Sequence, residues 1–131
     1  MLKILIVDDE DDVLYSLKRG FEIFEDDYDV QTAKDGKSCL EILTKHTPDL
    51  ILLDLMMPNM NGWQVLDIIQ ENTKWRNIPV FIISAVEKQE FKDTTEALGI
   101  PFIEKPFSFT SLKKKIDYFF NIKQNPTCVS A

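Results

Sequence analysis

Apolar residues gather along this chain in short unbroken runs, and each run stops on a polar residue. Ile4-Leu5-Ile6-Val7 ends on Asp8, Leu50-Ile51-Leu52-Leu53 on Asp54, and Val80-Phe81-Ile82-Ile83 on Ser84. A shorter pair, Phe102-Ile103, is followed by Glu104 and Lys105. Runs of this length, rich in branched side chains, read as strands. Because they are continuous rather than alternating, both faces of each strand must be covered. That occurs in a parallel sheet held between layers of helices. A further strand is read at Val30, Thr32 and Ala33, closed by Asp35-Gly36.

Between the strands the apolar spacing changes to three and four, as on one face of a helix. Val13, Leu14, Leu17, Phe21 and Phe24 form the first such stripe, with acidic residues crowding its start. Cys39, Leu40 and Leu43 form a second, and Val65, Leu66 and Ile69 a third, opened by Gly62. Phe91, Ala97 and Leu98 form a weaker fourth, stopped by Gly99. Leu112, Ile116, Phe119 and Phe120 form the last, with Ser108 or Thr110 as its cap. Strand and helix alternate five times, which predicts a doubly wound α/β fold with a five-stranded parallel sheet and five helices. The 131 residues suit one domain, burying roughly two-thirds of its unfolded surface.

Charge and composition exclude several classes. Fifteen basic against 22 acidic residues give a net charge of −7, which opposes unassisted nucleic-acid binding. No apolar run approaches the ~20 residues needed to span a membrane. The start of the chain lacks a signal peptide's cleavage region, and a cytoplasmic location is expected. Cys39 and Cys128 have neither CxxC spacing nor a histidine nearby, so metal and redox motifs of that kind are absent. His46, the one histidine, has no neighbour in sequence that would activate it for phosphate relay. Trp63 and Trp75 stand near loops and are expected to pack at the edge of the core.

The chemistry lies where polar residues end the strands. In a parallel sheet all C-terminal ends share one edge, so Asp8, Asp9, Asp54, Ser84 and Lys105 converge there. Ligands of open α/β sheets bind at that edge. Carboxylates brought to ~4 Å repel by about 4 kcal/mol per pair at an effective dielectric near 20. Such a cluster needs cations, and a hard divalent ion, Mg²⁺ or Mn²⁺, fits three acids and no histidine. Lys105 supplies a further positive charge. A carboxylate, a hard metal, a hydroxyl and a lysine suit phosphoryl transfer, which depends on positioning and charge neutralisation. Asp54 is the natural acceptor, with Asp8 and Asp9 holding the metal.

Ile4-Leu5-Ile6-Val7-Asp8-Asp9-Glu10, Leu53-Asp54-Leu55-Met56-Met57-Pro58-Asn59-Met60-Asn61-Gly62, Ile83-Ser84-Ala85 and Lys105-Pro106-Phe107 resemble the receiver domain of two-component response regulators. The resemblance spans about residues 1–122, leaving 123–131 as a disordered tail or truncated linker. It implies a flavodoxin-like three-layer sandwich of strand order 2-1-3-4-5. It also implies that Asp54 takes a phosphoryl group from a histidine kinase or a phosphotransfer protein. Asp9, Asp54 and the Met56 carbonyl would bind Mg²⁺ directly, and Asp8 through water. Ser84 would bond the phosphoryl group and move towards it, and Lys105 would pair with a phosphoryl oxygen. The bond before Pro106 would be cis, and Phe102 would be the aromatic switch that turns inward with Ser84.

The same resemblance implies a signalling switch rather than an enzyme with a separate substrate. It would act on a downstream protein, as a monomer or a phosphorylation-dependent homodimer, without direct contact to nucleic acid or membrane. The readout surface would be the fourth helix, fifth strand and fifth helix, with Lys88, Lys92, Glu96, Lys113 and Lys114 exposed on it. Some positions depart from the family's commoner residues: Ser84 stands for Thr, Phe102 for Tyr, and Asn61 for Asp. Met56 and Val86 are apolar at two positions that influence dephosphorylation, which predicts a long-lived phosphoryl group. The competing readings are a receiver-fold binding module that is not phosphorylated, a flavodoxin-like cofactor binder and a metal phosphohydrolase. The loop after the first strand is acidic and lacks glycine, which opposes the cofactor binder. Met56 stands where the phosphohydrolase would need a second aspartate.

Overall fold

The computed structural model describes residues 1–24, 26–85 and 89–120. Its elements follow in the order β1 (Leu2–Val7), α1 (Asp11–Glu22), β2 (Tyr28–Ala33), α2 (Gly36–Lys45) and β3 (Leu50–Leu53). They continue with α3 (Gly62–Glu71), β4 (Val80–Ser84), α4 (Gln89–Ala97), β5 (Phe102–Glu104) and α5 (Phe109–Phe120). The five strands form one parallel sheet in the order β2-β1-β3-β4-β5. This is the doubly wound arrangement expected from the alternation, with the strand order implied by the resemblance. The residues predicted as a tail, and Val86 and Lys88, lie outside the described residues.

Side chains one residue apart on a strand point to opposite faces, and the continuous runs fill both. Leu5 and Val7, Ile51 and Leu53, and Val80 and Ile82 join one buried cluster with Cys39 and Leu43 of α2 and Val65, Leu66 and Ile69 of α3. Ile4 and Ile6, Leu50 and Leu52, and Phe81 and Ile83 join the other, with Leu14, Leu17 and Phe21 of α1 and Leu112 and Ile116 of α5. Each such buried side chain contributes roughly 1.5–3 kcal/mol relative to exposure. The sheet is therefore the middle of three layers, with α1 and α5 on one face and α2 and α3 on the other.

Local signals set the helix starts. Asp35 caps α2 by accepting the Ser38 N–H at 2.7 Å. Asn61 and Gln64 form a reciprocal capping box at the start of α3. Ser108, of the two candidates named, caps α5 through the Ser111 N–H. Gly99 follows α4 at φ 74, the left-handed conformation that glycine adopts without steric cost.

Several boundaries and surfaces differ from the sequence reading. β2 begins at Tyr28, two residues early, because Tyr28 is buried against the α1–α5 layer. Phe24 lies past the end of α1, and its ring stacks on Phe109 at 6.4 Å. Leu98 and Phe119, read as core positions, are about half exposed. Phe119 lies at the margin, edge-on to Phe81. Lys113 is not a free surface cation. It bonds Asp117 at 2.6 Å and lies over the Phe24 and Tyr28 rings.

Candidate functional site: an acidic cluster at the carboxyl edge of the sheet

Strand register brings the site residues together. Val7 pairs with both Ala33 and Leu53, so Asp8 and Asp54 emerge side by side from two adjacent strands. Their backbone N–H groups make the last rungs of the ladders, Asp8 to Ala33 O at 3.1 Å and Asp54 to Val7 O at 2.9 Å. Lys105 ends the β4–β5 ladder in the same way, donating to Ser84 O at 2.9 Å. The chain winds one way from β1 to β2 and the other way towards β3. The cluster thus occupies the topological switch point, where open α/β sheets bind ligands.

Asp54 is only 2% exposed. Its Oδ1 accepts the Ser84 hydroxyl at 2.9 Å and the Met56 N–H at 3.1 Å. The Lys105 ammonium lies 3.5 Å from its Oδ2. Asp8 is fully buried; its Oδ1 accepts the Glu10 N–H at 2.9 Å and its Oδ2 the Lys105 ammonium at 2.7 Å. Burial pushes the Asp8 carboxyl up to about 6, and the hydrogen bonds from Lys105 and the Glu10 backbone offset only part of this. Burial also works against the Lys105 ammonium. Its bonds to Asp8 and Glu10 and the nearby charge of Asp54 outweigh that, holding it up at about 12. The Lys105 ammonium and the Asp8 carboxylate make the shortest charged contact of the site, at 2.7 Å. Burial costs both partners hydration, the ammonium as well as the carboxylate.

Carboxylate oxygens of Asp8, Asp9, Glu10 and Asp54 lie within 4.8 Å of one another. Hard oxygen donors gathered round so much negative charge fit a hard divalent cation. Asp9 is exposed at the rim, and Met56, two residues past Asp54, is 42% exposed. The Lys105–Pro106 peptide bond is cis. Phe102 pairs with Ile82 in the ladder, on the same sheet face as Ser84, and packs half-buried against the α2–α3 cluster. A cavity of about 830 Å³ opens beside the site between α1 and the start of α5. Val13, Leu17, Lys105, Pro106 and Phe109 are among its lining residues.

Two features escaped the sequence reading. Beside the expected Ser84 and Lys105, the Met56 backbone N–H also donates to Asp54. Glu10 belongs to the constellation, its Oε1 3.0 Å from the Lys105 ammonium. Its adjacency to Asp8-Asp9 was visible, but nothing in the sequence distinguished it from Asp11 and Asp12.

A model of the response regulator receiver domain matches residues 4–117. The chain is 38% identical over 119 residues to the response regulator ArlR of Staphylococcus saprophyticus, covering 88% of this chain and 51% of that protein. Its fold is similar to the receiver domain of the Francisella response regulator 1452. The TM-score is 0.80 at 30% identity, over 95% of this chain and all of that one. It is likewise similar to the chemotaxis protein CheY4 of Vibrio cholerae, with a TM-score of 0.79 at 26% identity, over 90% of this chain and 98% of that one. The chain spans between 12% and 51% of the length of six curated relatives it matches. The carboxylate cluster at the switch point and the match along most of the chain agree: the chain belongs to the receiver domain family of two-component response regulators.

Proposed function

We propose that this chain is a phosphorylation-dependent signalling switch whose acceptor is Asp54. The observation that carries this reading is the Asp54 carboxylate itself, buried yet bonded by Ser84 and Met56 and faced by Lys105 within a cluster of acids. In the transfer, an Asp54 Oδ attacks the phosphorus of a phosphohistidine. An O–P bond forms as the P–N bond breaks, and the leaving imidazole takes a proton from solvent. Receiver domains act with histidine kinases and downstream effectors, so the donor is a kinase or phosphotransfer protein.

Asp8, Asp9 and Asp54, with the Met56 carbonyl, would hold Mg²⁺. When bound, the cation offsets the charge of the acids and of the phosphoryl oxygens. Lys105 carries compensating charge to the phosphoryl group, and the Ser84 hydroxyl follows a phosphoryl oxygen in place of Asp54 Oδ1. Phosphorylation adds about −1.5 to −2 charges. That biases a two-state equilibrium in which Ser84 and Phe102 move together and alter the α4–β5–α5 surface. Met56, apolar at the mouth, offers no group to orient an attacking water, which favours a long-lived acyl phosphate.

The test is intact mass after incubation with Mg²⁺ and acetyl phosphate. A gain of ~80 Da, absent from Asp54→Ala, supports the switch. No gain from acetyl phosphate or from a phosphorylated kinase would instead support a binding module with this fold.

A further inference from the structure

Glu10 occupies the N-cap position of α1 but does not cap it: its side chain bonds no N–H of the first turn. Glutamate is absent from the residues that cap well, because its carboxylate is one carbon too far out. Here that carboxylate instead reaches across the site to Lys105, 95 residues away, at 3.0 Å. Three carboxylates compete for this one ammonium. Asp8 holds it at 2.7 Å and Glu10 at 3.0 Å, while Asp54 stands at 3.5 Å, the longest of the three. Asp8 is fixed by burial, and it also fixes Glu10 through the 2.9 Å bond from the Glu10 N–H. The Glu10 side chain is 59% exposed and points from the helix side of the site. The ammonium thereby lies closer to Asp8 and Glu10 than to the acceptor.

We infer that Glu10 is a positioning residue that holds the Lys105 ammonium off Asp54, so that phosphorylation requires the lysine to exchange Glu10 for the arriving phosphoryl group. This rests on the phosphoacceptor reading for its kinetic consequence, though not for its geometry. The exchange delays neutralisation of the incoming charge, since a lysine already placed at the acceptor would need no rearrangement during transfer. It also leaves Glu10 unpaired beside the cavity after transfer.

Two measurements on the full chain test this. The first is a crystal structure of Glu10→Gln, which keeps the shape and removes the charge; Glu10→Asp, too short to reach Lys105, serves as a second variant. The Lys105 Nζ to Asp54 Oδ2 separation should close from 3.5 Å to the ordinary ion-pair range below about 2.9 Å. An unchanged separation overturns the inference. The second is the rate of mass gain from acetyl phosphate at saturating Mg²⁺. Glu10→Gln should accelerate it about threefold, the scale of a half-exposed ion pair. It should have no effect in a Lys105→Met background, because the effect runs through the lysine. Equal acceleration in both backgrounds would mean simple repulsion of the anionic donor and would overturn the inference. If the unaltered chain gains no mass at all, the phosphoacceptor reading fails, and the crystal separation still decides the role of Glu10.

Discussion

At the scale of single residues, the site tolerates few substitutions because backbone crowds it from below. A Cβ on Gly62 would lie 2.2 Å from the Asp54 carbonyl oxygen and 2.6 Å from the Leu55 Cα. Neither can swing aside, as both belong to the chain that carries the acceptor. Gly62→Ala should destabilise the fold by about 1–3 kcal/mol, read as a lower urea midpoint, and should slow mass gain at Asp54. Cys39 presents the opposite case, a thiol with no chemical task in sight. It is fully buried, and burial pushes its pKa up to about 12. In a Cys128→Ser chain, iodoacetamide should leave Cys39 unmodified at pH 8 until urea unfolds the protein; rapid labelling without urea would contradict this burial. Asp8, Asp54 and Ser84 were legible in the sequence because each ends an apolar run. Glu10 was not, because its partner is distant along the chain and only the fold, which gathers the segments after β1 and β5 at one edge of the sheet, brings them together.

At the scale of elements, the helices differ in how firmly they are held. α1, α2, α3 and α5 each bury two or more apolar or glycine positions against the sheet, whereas Thr95 is the sole buried residue of α4. Its hydroxyl serves its own helix, donating to Lys92 O at 2.9 Å. Phe91, edge-on to Trp63 of α3 at 5.8 Å, supplies an aromatic contact. Amide hydrogen exchange should therefore be faster in α4 than in α3 or α5; equal protection would show that α4 is docked as firmly as they are. The weak amphipathic pattern around Phe91 already indicated this. α3 is held at its start as well, by the Asn61–Gln64 box. Asn61→Ala should cost about 1 kcal/mol, read in the urea midpoint. Its neighbour Asn59 adopts φ 64, a left-handed turn that asparagine accepts more readily than most residues.

At the scale of the whole molecule, a chain of net charge −7 concentrates four carboxylates at one edge. Folding must assemble that repulsion, and Lys105 alone does not cancel it. Mg²⁺ should therefore raise the melting temperature, contributing about 1.4 kcal/mol at ten times its dissociation constant. Sodium chloride of equal ionic strength should do less, and Asp54→Asn should lose most of the gain; equal effects of the two salts would argue for screening without a site. At the far side of the fold, Tyr28 donates to Asp117, which also takes Lys113, tying β2 to α5 beneath the Phe21–Phe109 contact. Burial, and then the Asp117 acceptor, push the Tyr28 phenol well above its usual range. No single stretch of sequence announces this network, since Tyr28 and Asp117 are 89 residues apart. The sequence by itself determined the layers and the edge, because unbroken apolar runs require cover on both faces and their polar ends must gather where parallel strands finish. Only the tertiary structure decided which charge meets which. The register of Val7 with Leu53, the approach of α1 and the burial of Asp8 set the distances, and electrostatic partnership follows distance rather than position in the chain.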